Sequence, residues 1–166
     1  MKVIGIGGIE VCCRSNETMK TFGLGSCVAL VLLDSIEMCV GMAHVALPDS
    51  SFNPEKAAKL PGYFADTAVP ELVDRMVLGR IRQNEIGRRL QARIAGGASI
   101  NDSTNVFQIG RRNVLAIQKR LEFYGILLKP EHMDIGGGNL SRTVSVTINT
   151  GQVMVSYATD QAVRKL

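Results

Sequence analysis

Two apolar runs on either side of one turn constrain this chain most. Ser26 to Leu33 (SCVALVLL) and Met38 to Leu47 (MCVGMAHVAL) flank Asp34-Ser35, whose turn chemistry makes them adjacent strands of a hairpin. Neither run alternates apolar with polar, so both strands are expected to be buried on two faces, and a second layer must cover each side. Ala65, Ala68, Val69, Leu72, Val73, Met76 and Val77 recur at helical spacing and predict a helix over Tyr63 to Leu78, with Pro70 tolerable near its start. Val114, Ile117, Leu121 and Tyr124 predict a second helix over Arg112 to Tyr124, ended by Gly125. Further strands are expected at Gly8 to Cys13, at Gln91 to Ile94 before the Gly96-Gly97 turn, and at Ile126 to Leu128. Val144 to Ile148 and Val153 to Tyr157 complete the set, joined by Asn149-Thr150-Gly151. Strands at both ends and helices between them predict an α+β sandwich of largely antiparallel or mixed sheet with helices packed on it. Pro48 to Gly62, with three prolines, reads as a long loop of the kind that shapes a site. A chain of 166 residues suits a single domain, 1–166.

Composition narrows the function classes. With 46% hydrophobic and 20% charged residues, no segment has the makeup of a disordered tail. Phe22 to Leu33, the longest nearly uncharged apolar run, falls short of the roughly 20 residues that span a bilayer. No export signal opens the sequence, so a cytoplasmic protein without membrane insertion is expected. The net charge of +4 comes with Arg80, Arg82, Arg88, Arg89, Arg93, Arg111, Arg112, Lys119 and Arg120, among which Phe107 is the one aromatic. That pattern predicts a solvated basic face that docks an acidic partner, and no nucleic-acid reader. The four cysteines, Cys12, Cys13, Cys27 and Cys39, lack zinc-site spacing and read as free thiols. Neither metal nor cofactor is expected.

One constellation carries chemistry. A thiol nucleophile needs a base, because an ordinary cysteine is only a few per cent thiolate near neutrality. Cys27 opens the first hairpin strand and His44 lies near the end of the second, so antiparallel pairing about Asp34-Ser35 draws them together. Gly23, Gly25 and Ser26 let backbone N–H groups approach a substrate carbonyl closely, as an oxyanion hole requires. The base also needs an orienting group, for which Thr21, Ser26 and Asp49 stand close in sequence. A cysteine in a Val-rich strand is ordinarily an inert core thiol, and a histidine among apolar residues a satisfied structural group. The residues alone leave both readings open.

Motifs along the chain resemble those of the chemoreceptor glutamine deamidase (CheD) family. Gly25-Ser26-Cys27-Val28-Ala29 after Thr21, and Ala43-His44-Val45-Ala46-Leu47-Pro48, resemble its LGSCV and AHxxLP signatures. Pro61 to Pro70, Ala92 to Ala98, Ile109-Gly110-Arg111-Arg112-Asn113 and Asp134-Ile135-Gly136-Gly137 resemble further family elements in the same order. The resemblance implies hydrolysis of receptor glutamine side chains to glutamate, with Cys27 as nucleophile, His44 as base and Thr21 as the supporting residue. It implies chemoreceptor cytoplasmic helices and a CheC-type phosphatase as partners, and as an alternative role an adaptor that stimulates that phosphatase. A peptidase using the same Cys-His pair is a third reading. Ala95 replaces the family's usual aromatic, and Gly136-Gly137-Gly138-Asn139-Leu140-Ser141-Arg142 is irregular beside G-G-x-x-G-R. His132 and Cys39 read as non-catalytic.

Overall fold

A computed structural model describes residues 1–99, 108–138 and 140–166; Phe107 and Asn139 lie outside the described residues. Among the described residues ten strands form two five-stranded sheets: β1 (Lys2–Val3), β2 (Ile9–Cys13), β3 (Thr18–Leu24), β4 (Val28–Asp34), β5 (Cys39–Val45), β6 (Gln91–Gly96), β7 (Met133–Ile135), β8 (Arg142–Thr147), β9 (Gln152–Tyr157) and β10 (Asp160–Lys165). One sheet has the order β1-β3-β8-β9-β10 and the other β2-β5-β4-β6-β7. The β1/β3 and β6/β7 pairs are parallel and the rest antiparallel. Four α-helices, α1 (Pro54–Lys59), α2 (Ala65–Val77), α3 (Ile86–Arg89) and α4 (Ile109–Phe123), accompany them among the described residues, and the expected α+β sandwich is what the chain forms.

The unbroken apolar run of β4 has a simple cause. Val28, Leu30 and Leu32 face a core shared with Leu72 and Met76 of α2 and Ile117 and Leu121 of α4. Ala29, Val31 and Leu33, on the other side, meet Met19, Val144, Val146 and Val155 of the opposite sheet. Every residue of β4 and β5 is buried. Each fully buried aliphatic side chain contributes about 1.5–3 kcal/mol of hydrophobic stabilisation, so this hairpin anchors both cores.

Several expectations change in detail. The hairpin turn is Ser35 to Met38 and not Asp34-Ser35, because the Asp34 carboxylate accepts the Ile36 and Glu37 N–H groups at 3.0 and 3.2 Å and closes a longer turn. Ala29 therefore stands opposite His44, and Val28 opposite Val45. Pro48 to Gly62 is no open loop: it holds α1 between two 3-10 turns, with Asn53 capping the Lys56 N–H and Pro54 at the first helical position. Ile126 to Leu128 form no strand, whereas β1, β3, β7 and β10 are strands that the residue pattern does not announce. Strand β3 alternates Met19 and Thr21 inward with Phe22 outward, but a threonine at an inward position hides the pattern.

The cysteines differ as well. Cys13 and Cys39 face each other across β2 and β5 with Cα atoms 4.0 Å apart and form a disulfide, leaving Cys12 and Cys27 free. Strand register, invisible in their spacing, brings the pair together. The basic face is solvated only in part: Arg89 pairs with Asp34 at 3.1 Å, and Arg93 hydrogen-bonds His132 at 3.1 Å. Arg111, Arg112, Lys119 and Arg120 of α4 are exposed.

Candidate active site

The chemistry-bearing residues gather where β4, β5 and β3 meet at one end of the sandwich. Side chains alternate along a strand, so His44, two residues from inward-facing Met42, turns toward the opposite sheet. Thr21 of β3 projects from that sheet to meet it, with Oγ1 2.7 Å from Nδ1 of His44. The Thr21 hydroxyl is also 2.7 Å from the Ile4 carbonyl oxygen. A hydroxyl has one proton, and a carbonyl oxygen can only accept. Thr21 therefore donates to Ile4 and accepts from His44, which places the imidazole proton on Nδ1. Nε2 is left with a free lone pair, buried and without a hydrogen-bond partner among the described residues. The backbone of His44 is fixed too, its N–H donating to Gly8 O at 3.1 Å and its carbonyl accepting from Gly7 N at 2.8 Å.

Cys27 stands one residue before β4, half-buried against the core between the sheets. Ala29 is the residue opposite His44, so Cys27 takes the diagonal position on the same inner face. Its loop is held from behind. Gly97 N–H donates to Cys27 O at 2.9 Å, and Ala98 N–H to Gly25 O at 2.8 Å. Gly96, at φ 121°, packs so closely that a Cβ there would lie 2.1 Å from Cys27 O, which leaves glycine alone acceptable. Gly25 and Ser26 are half-buried, with the Ser26 carbonyl tied inward to the Asn113 side chain. In trans peptides the N–H of the next residue points the opposite way, so the Ser26 and Cys27 amides are turned away from these contacts.

Electrostatics follow from burial. His44 is 2% exposed, and desolvation lowers its pKa to about 4 from an ordinary 6.5, with the Ile4 backbone acting the other way. Desolvation likewise raises the Cys27 thiol, with its own backbone N–H acting the other way. Near neutrality both shifts favour the uncharged forms, a thiol on Cys27 and an imidazole on His44.

Asp49 stands apart from this cluster: its carboxylate accepts the Ser51 N–H at 2.8 Å and is exposed. His132 contacts Arg93 at 3.1 Å on the β6 side, and Cys39 is in the disulfide. Among the described residues no group of three His, Cys, Asp or Glu is placed to hold a metal, and no helix is long and apolar enough to cross a membrane.

Sequence reasoning missed the tasks of three residues, two beside the site and one that ties the sheets together. Ile4 acts through a main-chain carbonyl, which carries no sequence signal. Asn113 is fully buried on α4, and its signal was a polar side chain on the stripe Gly110, Val114, Ile117, Leu121. Asp134 of β7 binds Arg142 at 2.9 Å and the Tyr157 hydroxyl, joining the last strand of one sheet to two strands of the other. Removing one partner from an ion pair this buried costs about 3–5 kcal/mol.

Comparison with known proteins places the chain among relatives. A family model described as CheD chemotactic sensory transduction matches residues 46–157. A probable chemoreceptor glutamine deamidase CheD of Syntrophotalea carbinolica is 42% identical over 154 residues, covering 93% of this chain and 92% of the relative. The chemoreceptor glutamine deamidase CheD of Thermotoga maritima is also 42% identical, over 93% of this chain and 90% of its own. A probable chemoreceptor glutamine deamidase CheD of Methanococcus maripaludis is 36% identical over 92% of both chains. With a family model covering most of its length and relatives matching it nearly end to end, this chain belongs to the CheD family of chemotactic sensory transduction proteins.

Proposed function

We propose that this chain is a chemoreceptor glutamine deamidase in which Cys27 is the nucleophile, His44 the general base and acid, and Thr21 the group that orients His44. The activity is the one its relatives are named for. The residue roles rest on one observation: the chain of hydrogen bonds from His44 Nδ1 through Thr21 to the Ile4 carbonyl, which leaves Nε2 unpaired on the face that Cys27 shares.

In this reading a glutamine carboxamide enters against Cys27. Its Sγ attacks the amide carbon while the thiol proton passes to Nε2 of His44. The imidazolium that forms is stabilised by the Thr21 and Ile4 dipoles, aligned head to tail behind Nδ1. The carbonyl oxygen becomes an oxyanion, toward which the outward N–H groups of Ser26 and Cys27 are available; one such donor is commonly worth about 3 kcal/mol. The C–N bond then breaks, Nε2 returns its proton to the leaving nitrogen as ammonia, and a thioester remains on Sγ. Water adds to the thioester as Nε2 takes its proton, and Nε2 returns that proton to the departing sulfur as the carboxylic acid leaves. Carboxamide and water give carboxylic acid and ammonia, and the acid proton passes to ammonia in solution to leave carboxylate and ammonium.

Recession of the site favours a side-chain amide over a peptide bond. His44 is almost fully buried and Cys27 half-buried, so the reacting carbonyl must arrive at the end of a slender stem. Glutamine supplies one, whereas a main-chain carbonyl is flanked by two chain directions. The exposed Arg111 and Arg112 at the start of α4 suit an acidic face on a chemoreceptor cytoplasmic helix, and the proposal has the protein act there, in the cytoplasm. A CheC-type phosphatase is the second partner in this proposal.

Mass spectrometry of chemoreceptor cytoplasmic fragments incubated with the protein tests the reading. Conversion of glutamine to glutamate by the wild type and none by Cys27→Ala is the expected result. Equal conversion by both, or peptide cleavage, overturns it. Loss of conversion with phosphatase binding intact in Cys27→Ala separates catalysis from the adaptor role.

A further inference from the structure

We infer that Asn113 is a positioning residue that fixes the distance between Cys27 and His44, an inference that rests on the roles proposed above for those two residues. Its side-chain nitrogen donates to Ser26 O at 3.0 Å and to Ala46 O at 2.9 Å. Both partners are carbonyl oxygens, which only accept, so chemistry alone requires the amide nitrogen to face them. Ser26 immediately precedes the nucleophile, and Ala46 lies two residues beyond the base.

The place of this contact in the sheet gives it its effect. The β4/β5 ladder has its last pair at Val28 and Val45. Beyond that pair, the strand leading into Cys27 and the strand leaving His44 no longer hold each other through the backbone. The two hydrogens of one amide nitrogen span that gap and extend the ladder by a side chain. Asn113 is fully buried and sits in the first turns of α4, so the helix itself sets the span. The helix is seated in turn by Gly110, where a Cβ would lie 2.5 Å from the Gly97 backbone. Gly97 also holds the Cys27 carbonyl, so one rigid corner of helix and glycine turn grips the nucleophile loop from two sides.

Asparagine suits the task through its chemistry. Aspartate at neutral pH would turn an acceptor on two acceptors, leucine fills the same space with no donor, and glutamine pushes the nitrogen one carbon too far. Misplacement of a reacting group by about 1 Å can cost about 100-fold in rate. The loss belongs in kcat, because the substrate's binding contacts stay in place.

The experiment compares wild type, Asn113→Leu, His44→Gln and Cys27→Ala. Readouts are receptor-fragment deamidation, the pH profile of Cys27 alkylation by iodoacetamide, and thermal unfolding. Asn113→Leu is expected to lose about 100-fold in kcat with KM within about threefold, and its alkylation profile is expected to coincide with that of His44→Gln. A kcat within about threefold of wild type, or a wild-type alkylation profile despite a lowered Tm, overturns the inference and leaves Asn113 a structural residue. If Asn113→Leu does not fold, Asn113→Ser, which leaves room for water between the two carbonyls, is read by the same criteria. Should wild type and Cys27→Ala deamidate equally, the proposed roles of Cys27 and His44 fail, and that failure is distinct from the failure of this inference.

Discussion

The two ends of the β4/β5 hairpin treat their polar groups in opposite ways. At the turn, the buried Asp34 carboxylate accepts two backbone N–H groups and the Arg89 guanidinium, so its charge is fully compensated. At the open end, His44 is as buried as Asp34, yet Nε2 has no partner among the described residues. A buried polar atom without a partner costs about 1–3 kcal/mol. The same two strands therefore hold a group completed for stability at one end and a group left incomplete at the other. In the mechanism proposed above, what completes the second is the proton it takes from a thiol. Burial at the turn then holds a structure, and burial at the mouth keeps the proposed base neutral.

The largest effect is expected from replacing His44, the proposed base. His44→Gln is expected to lower kcat for deamidation by on the order of 10^4-fold with little change in Tm, since the lost group had no partner on its reactive side. An activity within tenfold of wild type would remove the distinction between the two ends. A subtler cut is Thr21→Val, which keeps the volume and removes both hydrogen bonds. With Nδ1 no longer held, the wrong tautomer becomes accessible and kcat is expected to fall about 100-fold. Rescue by Thr21→Ser, which restores the hydroxyl, separates that effect from packing.

Acid acts on the two ends differently. Because the His44 pKa is lowered to about 4, kcat/KM is expected to stay level from neutrality down to about pH 5 and then fall tenfold per unit below pH 4. Stability has its own signature. The unfolded chain takes up the histidine proton near pH 6.5 and the folded chain only near pH 4, so His44 contributes stability that is present above 6.5 and lost as pH falls toward 4. Denaturant unfolding of wild type against His44→Gln at pH 7 and pH 5 reads this directly, with wild type losing more. The smallest catalytic effect is expected at the turn. Asp34→Ala should lower Tm by roughly 5 °C with kcat unchanged; a loss of activity without a loss of stability would reverse the roles of the two ends.

How much of this the sequence carried depends on whether a residue's task leaves a local pattern. The double-faced burial of β4 and β5 was legible, because an uninterrupted run of Val, Leu and Ala at strand length puts apolar side chains on both faces, and each face then needs cover. Helices α2 and α4 were legible from their apolar spacing to within three residues at each end. Strand β3 was not, since Thr21 sits at an inward position where pattern expects an aliphatic residue. The hairpin register came out two residues away, because the Asp34 side chain builds a longer turn than Asp34-Ser35 alone suggests. Residues alone left Thr21, Ser26 and Asp49 equivalent as partners for His44. Contact with the imidazole separates them, since only a strand of the facing sheet brings a hydroxyl onto Nδ1. The Ile4 carbonyl and the Cys13–Cys39 bond depend on which strands lie side by side, and spacing along one chain does not encode that.

The most direct test of the account is the protonation state of His44, read by long-range 15N–1H correlation on imidazole-labelled protein at pH 7. The account predicts a neutral ring with the proton on Nδ1 and a bare Nε2, and no change on adding Cys27→Ala. A proton on Nε2, or an imidazolium that disappears in Cys27→Ala, would contradict it, because the thiol would then have no free base beside it or would already have been ionised before substrate arrives.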